Sequence, residues 1–281
     1  MLGAIGFSGK AIIVKLAYRH GVDAVTLLMW RMLLALPFFL ALAWWAGRGK
    51  PALTRRDWRD LAVLGFTGYY LASFLDFAGL AYISASLERL ILYLNPTLVL
   101  LLSVVFFHHR LQGRQLLAMA VSYAGVVAVF AHELSFEGRN TALGAALVFG
   151  SAISYAVYLA LSGKVVQRLG ALRLTGLASS VACALCIAQF AVLRPLSAAW
   201  VGEPVLWLSL LNATVCTVAP VLMVMLAIAR IGAPLSSQVG MVGPMSTLLM
   251  GVFILGEPMN GWIALGTTLV LVGVFMVGLR R

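Results

Sequence analysis

Charge is what this chain has least of. Only 10% of its 281 residues are Asp, Glu, Lys or Arg, and only nine of those are acidic, where a soluble domain carries about 25% charged residues. With 62% hydrophobic residues and a mean hydropathy of +1.01, the chain cannot coat a water-exposed globule, so lipid must be the solvent for most of its surface. Cysteine is scarce too. Cys183, Cys186 and Cys216 all fall in apolar segments, and Cys183-x-x-Cys186 matches a redox motif only formally. Without a thioredoxin-like context the pair reads as two small residues on a packed helix. The four histidines, His20, His108, His109 and His132, stand near segment ends on different sides, and no pair has metal-ligand spacing. No phosphate loop, nucleotide motif or Ser-His-Asp set is present, so an enzyme would lack its chemistry.

What is abundant is apolar sequence in long runs. A membrane helix needs about 20 apolar residues, and ten such segments can be marked: 3–20, 24–46, 59–81, 84–107, 114–131, 142–163, 173–193, 204–229, 232–255 and 259–279. The first begins at once, so no cleavable signal peptide is expected. The excess of basic residues, 20 against 9, would suggest nucleic acid if it were clustered, but it is not. With ten helices and a cytoplasmic N-terminus, thirteen Lys and Arg fall in cytoplasmic loops and tail against three outside (Arg19, Arg139 and Arg194). That is the positive-inside bias of a bacterial inner (plasma) membrane protein with both termini in the cytoplasm. Basicity here sets orientation, and no nucleic-acid partner is expected.

The chain also repeats itself. Ile83, Ala85, Pro96 and Gly125 map onto Ile231, Ala233, Pro244 and Gly273 at a constant offset of 148. Five helices per half is an odd number, so the second copy must enter the membrane upside down. The expected architecture is therefore an all-α integral membrane protein, ten helices in an inverted five-plus-five repeat. Its units are 1–131 and 142–281, joined by a polar connecting loop at 132–141. Such repeats place a substrate site near the midplane between the halves, which is the signature of a transporter. Gly3, Gly6 and Gly9 form a small-residue stripe of the kind that lets helices approach closely in lipid, as do Ala120, Ala124 and Ala128, and Gly150, Ser151 and Ser154 begin the second half similarly. Pro37, Pro96, Pro220 and Pro244 lie well inside the segments. Each should kink its helix, and the matched pair Pro96 and Pro244 suits hinges on either side of a central cavity.

Several stretches resemble the EamA-type members of the drug/metabolite transporter superfamily. Ile254-Leu-Gly-Glu-Pro, followed by Gly266, Leu269 and Gly273-Val274, is similar to the ending of that family's repeat. Lys15-Leu-Ala and Arg31 match polar positions of its opening helices, and the stretch from Ala85 to Thr97 resembles the fourth helix of a bacterial branch. The resemblance spans essentially the whole chain and implies transport. It points toward YddG-like amino-acid exporters, although other branches carry sugar conjugates, nucleotide-sugars or triose phosphates. One departure is visible: His109 stands where the family usually has the Glu that recurs here as Glu257. Because it lies at a helix end, it is expected to alter a cap or interfacial contact.

Six charged residues lie inside the segments: Lys10, Lys15, Arg31, Asp76, Glu88 and Arg89, all in the first half. A charge at the bilayer centre costs at least about 2.5–3.5 kcal/mol, so such residues normally face a polar interior. Counting about 1.5 Å per residue along each helix puts all but Lys10 in one outer layer. Two readings follow. In one the charges lock helices together, with Arg31–Asp76 and Lys15–Glu88 as the pairs. In the other they line a vestibule for a zwitterion, with Asp76 or Glu88 taking an ammonium and Arg31 or Lys15 a carboxylate. Tyr70, Tyr93, Asn95, Tyr155 and Tyr158 at middle depths, with Gln238 from the second half, would supply the remaining substrate contacts. Trp44, Trp45, Trp58, Trp200, Trp207 and Trp262 read as interfacial anchors. The expectation is an exporter of small polar metabolites, amino acids first, working by alternating access. Its partners are a small-molecule cargo and the bilayer; no cofactor or metal is expected, and a monomer suffices. Drugs or organic cations, or sugar-type metabolites, are the alternative cargoes. The excess of intramembrane basic over acidic residues, four against two, argues against cations.

Overall fold

In a medium that offers backbone groups no hydrogen bonds, a spanning chain must satisfy its N–H and C=O groups internally. The computed structural model describes residues 2–107, 113–137, 139–224, 226, 242–258 and 260–278, and among these every extended element is helical. The helices are α1 (Leu2–Tyr18), α2 (Ala24–Gly47), α3 (Arg55–Leu64), α4 (Ala72–Leu80), α5 (Ala85–Leu92), α6 (Asn95–Phe107), α7 (Gly113–Glu137), α8 (Arg139–Leu169), α9 (Ala171–Leu193), α10 (Glu203–Ala213), α11 (Val242–Met250) and α12 (Gly261–Gly278). Seven helical spans are long and apolar enough to cross a membrane, and shorter apolar helices accompany them. The segment expected as a loop at 132–141 is largely helical, with α7 continuing to Glu137 and α8 starting at Arg139.

Three π-helical segments occur among the described residues, one of them at Gly251–Leu255 after α11, and the other two are related by the repeat. A π-helical segment at Gly65–Leu71 joins α3 to α4, and another at Thr214–Val218 follows α10. They stand at the same offset of 148 as the repeat, and such π segments frequently mark functional positions.

Contacts recur at that offset. On α1, a Cβ at Gly3 would lie 3.3 Å from the Pro220 carbonyl, and one at Gly6 would lie 2.9 Å from the Val215 carbonyl. On α8, Ser151 Oγ donates to the Ala72 carbonyl and Ser154 Oγ to the Thr67 carbonyl, each at 2.7 Å. Adding 148 to 3, 6, 72 and 67 gives 151, 154, 220 and 215, so glycine in one half stands where a hydrogen-bonding serine stands in the other. α7 and α12 meet through a similar exchange: a Cβ at Gly125 would lie 2.7 Å from the Gly266 carbonyl, and one at Gly273 would lie 2.5 Å from the Ala118 carbonyl. The stripe that meets α12 is thus Ala118, Ser122 and Gly125. Ala120 and Ala124, expected to pack, are exposed; the three-residue step from Ser122 to Gly125 selects the neighbouring face.

The exterior is apolar. Phe253 and Val192 are each 82% exposed, and the six interfacial tryptophans are all at least half exposed. Helix ends are tied by polar contacts. Asp23 caps α2, accepting from Val25 N at 3.0 Å and Thr26 Oγ1 at 2.7 Å, and pairs with Arg194 Nε at 3.2 Å. Burial raises its carboxyl, but the Thr26 hydroxyl and amide and the Arg194 guanidinium outweigh this and hold it below its ordinary value. At the far end of the bundle Arg168 pairs with Asp57 at 2.7 Å and Asp60 at 2.8 Å.

Candidate functional site

The expected fourth span is not one kinked helix but two pieces, α5 and α6, with the break at Tyr93 and Leu94. Pro96 has no N–H, so it cannot serve the carbonyl four residues back at Leu92. Asn95 replaces that donor: its Nδ2 bonds Leu92 O at 2.7 Å, while Thr97 Oγ1 bonds Leu94 O at 2.7 Å. The repair leaves Asn95 Oδ1 and Tyr93 Oη buried without a hydrogen-bond partner among the described residues. Discontinuous helices of this kind form the ion and substrate sites of many carriers.

One turn before the break, four charges converge. Lys10 on α1 is hydrogen-bonded to Asp76 on α4 and lies 3.6 Å from Glu88 on α5; Arg89 pairs with Glu88 at 3.7 Å. Asp76 and Glu88 are 1% and 0% exposed. The pairing differs from the expectation. Lys10, thought to sit too deep, is the hub, because a four-carbon stem reaches along the helix axis as well as across it. Lys15 stands partly buried further along α1, and Glu88 takes its cations from Lys10 and Arg89 instead. Among the described residues the two Glu88 oxygens and Arg89 Nε make ion pairs at 3.6 and 3.7 Å but no hydrogen bond, and Asp76 Oδ1 has no hydrogen-bond partner.

Arg31 is 3% exposed, and its partner is not Asp76. Its Nε donates to Thr217 Oγ1 at 2.8 Å and its guanidinium lies 5.2 Å from the Phe77 ring centre, while its Nη1 has no hydrogen-bond partner among the described residues. Thr217 belongs to the second π segment and passes a hydrogen bond to the Asn212 carbonyl at 2.8 Å. Arg31 thus faces Phe77 on α4, the residue next to Asp76. The buried layer therefore holds three cations and two carboxylates. Extra positive charge with an unsatisfied guanidinium nitrogen suits the carboxylate of a ligand.

The tyrosines form a separate cluster. Tyr69 and Tyr158 share a hydrogen bond at 3.2 Å, and Tyr155 stacks on Tyr158 with ring centres 5.6 Å apart. Tyr69, which the sequence does not single out, joins this cluster, whereas Tyr70 packs on Phe66 at 5.4 Å. Both sit in the first π segment, whose wider turn shifts the face a 3.6-residue count predicts. Gly68 admits the Tyr158 ring, since a Cβ there would lie 2.4 Å from it. Gln238 lies outside the described residues. Pro244 stands in the first turn of α11, and the chain before it is also outside them.

At the rim, a contact that the sequence hinted at only through the Glu257 motif joins the halves. Glu257 accepts from Ala85 N at 2.7 Å, Ser86 N at 3.2 Å and Ser86 Oγ at 2.6 Å, capping α5 from across the bundle. Arg19 adds a hydrogen bond to the Leu255 carbonyl at 2.8 Å. His109, the departure from the family pattern, lies outside the described residues.

The model of the EamA-like transporter family matches residues 1–131 and again 142–279. The chain belongs to this family. It is 29% identical over 271 residues to the Bacillus subtilis protein named uncharacterized transporter YcbK, covering 92% of this chain and 84% of that one. It is 25% identical over 255 residues to uncharacterized transporter YetK of the same organism, covering 89% and 77%. A solved crystal structure shares the fold with a TM-score of 0.67 at 20% identity, over 97% of this chain and 94% of the other. As an EamA-like protein it is a multi-pass membrane transporter.

Proposed function

We propose that this EamA-like transporter exports small zwitterionic metabolites, amino acids foremost, across the bacterial inner membrane by alternating access. The reading takes ten helices in an inverted repeat of units 1–131 and 142–281, with both termini cytoplasmic. It is supported by the contact pairs recurring at 148 residues and by the uneven distribution of Lys and Arg. The observation that carries the cargo assignment is the buried layer of Lys10, Arg31, Asp76, Glu88 and Arg89 beside the α5–α6 break. Two carboxylates offer an ammonium its partner, and the spare hydrogen-bonding capacity of Arg31 offers one to a carboxylate. Tyr93 Oη and Asn95 Oδ1, both buried and without hydrogen-bond partners among the described residues, provide further contacts beside the break. Tyr155, Tyr158 and Tyr70 are proposed to line the path on the α8 side, with Gln238 and Lys15 as further contacts.

In this reading Glu257, capping α5 from the second half, closes one side of the path, and Pro96 and Pro244 mark the flexing points. The test is counterflow in proteoliposomes preloaded with unlabelled amino acids against a radiolabelled amino acid, with sugars and organic cations as controls. Accumulation driven by amino acids alone is the expected result. Exchange with sugars or cations and none with amino acids would overturn the cargo assignment while leaving the family untouched.

A further inference from the structure

Lys10 has no assigned part in holding a zwitterion, yet it sits at the centre of the charged layer. Its ammonium is bonded to Asp76 and lies 3.6 Å from Glu88. Arg89 cannot replace it: Arg89 approaches Glu88 only, at 3.7 Å, and spends another N–H on the Phe7 carbonyl at 3.2 Å. Without Lys10, Asp76 has no ion-pair partner among the described residues, at 1% exposure. Lys10 is also carried on a helix anchored to the second half. Gly3, Gly6 and Gly9 pack against Pro220, Val215 and Cys216, and Ser8 Oγ donates to the Gly243 carbonyl at 2.5 Å. Asp76 belongs to α4, which packs on a different helix of that half, α8, through the contact of Gly79 with Val148, and which α1 also reaches through the hydrogen bond from Tyr18 Oη to the Phe77 carbonyl at 2.5 Å.

We propose that Lys10 is a tethered counter-ion that occupies, in the empty carrier, the place taken by the cargo's ammonium in the loaded one. This rests on the zwitterion reading above. A carboxylate stranded at membrane depth disfavours any movement that keeps it dry. A loaded carrier has the cargo's ammonium beside Glu88 and Asp76 and can turn with or without Lys10. An empty carrier depends on Lys10. Exchange uses only loaded turns, whereas net efflux needs an empty return, so the two activities should separate when Lys10 is removed.

The experiment compares two fluxes of a radiolabelled mixture of common L-amino acids in proteoliposomes: counterflow, and net efflux into amino-acid-free buffer. Lys10→Met is expected to lower the ratio of net efflux to counterflow by about tenfold or more. Lys10→Arg, which keeps the charge, should stay near the wild-type ratio. Lys10→Met/Asp76→Asn leaves Glu88 paired with Arg89 and strands nothing, so its ratio should return toward wild type. An unchanged ratio in Lys10→Met overturns the inference. So does a double variant whose ratio stays as low as expected for the single, and that comparison holds even where the single is too unstable to assay. Wild-type protein without amino-acid counterflow overturns the zwitterion reading and this inference with it; wild-type counterflow with a failed ratio test overturns the inference alone.

Discussion

The two halves of the molecule solve one packing problem with two chemistries. At the offset of 148, Lys10 corresponds to Tyr158, Asp76 to Val224 and Arg31 to Ser179, while Glu88 and Arg89 correspond to Ser236 and Ser237. On the α8 side a neutral phenol pair, Tyr69 and Tyr158, occupies the ground that Lys10 and its carboxylates occupy on the α1 side. Helix contacts around both are closely matched, down to Gly3 and Gly6 standing where Ser151 and Ser154 stand. Around Tyr158, among the described residues, helices therefore pack without the charges found around Lys10. Residues that cost free energy to bury and that one half dispenses with are better explained by cargo than by architecture.

The comparison breaks most sharply if charge is removed from one side only. Asp76→Val, copying Val224, leaves Lys10 only its longer contact with Glu88 at 3.6 Å and should destabilise the protein by about 3 kcal/mol. Adding Lys10→Tyr, copying Tyr158, removes the poorly paired ammonium and should recover most of that loss. Thermal unfolding in detergent measures both. A double variant no more stable than Asp76→Val would mean that the halves are not interchangeable at this level.

Glycine and serine sharpen it next. A Cβ at Gly6 would meet Pro220 Cγ at 2.7 Å and the Val215 carbonyl at 2.9 Å. Gly6→Ser should therefore force α1 outward and cost about 1–3 kcal/mol by overpacking. The reverse change at the matched position, Ser154→Gly, loses a buried hydrogen bond to Thr67 and should cost about 1 kcal/mol. Unfolding midpoints of the two variants decide it, and equal effects would contradict the closer approach on the α1 side.

Much of this arrangement was legible in the chain, because lipid imposes strong rules. Apolar runs of helix length, a constant offset and small residues facing one another follow from the need to satisfy the backbone and pack without a hydrophobic drive. Which charges meet was not legible. Depth along the axis was a poor guide for Lys10, whose stem erases a turn of difference. Arg31 was matched with Asp76 because only opposite charge was sought, while its hydrogen-bond partner is the neutral Thr217 of the other half. Tyr70 was preferred to Tyr69 because a π segment rotates the faces and leaves no residue signature. Pro96 was readable as a disruption, but that Asn95 repairs the freed Leu92 carbonyl, turning a kink into a clean break, depended on side-chain geometry.

A smaller effect is expected where the halves touch at the rim. Glu257→Gln keeps the shape but removes the charge at the start of α5, and should cost about 0.5–1 kcal/mol as a lost charge–dipole interaction. If Glu257 closes one side of the path, a cysteine placed at Ala85 in this background should also react faster with a membrane-impermeant maleimide. Unchanged labelling would leave Glu257 a cap and nothing more.

The smallest expected effect lies at the start of α2 and concerns acid. The Asp23 carboxyl is held below its ordinary value of 3.8 by Thr26 and Arg194 despite partial burial. A carboxyl lowered in the folded protein stabilises it fully above the ordinary value, and that contribution fades as pH falls below 3.8 through the folded value. The side chain is 39% exposed and the Arg194 pair is open to solvent on both sides, so salt screens most of the ionic part. What remains is the cap itself, about 1 kcal/mol at most. Asp23→Asn keeps a capping oxygen but cannot ionise. Its unfolding midpoint should sit slightly below wild type at neutral pH and converge with it below the folded value. Asp23→Ala removes the cap as well, and should stay below both where the wild-type carboxyl is ionised. A wild type and Asp23→Asn that differ equally at every pH would show that the Arg194 and Thr26 contacts contribute nothing through charge.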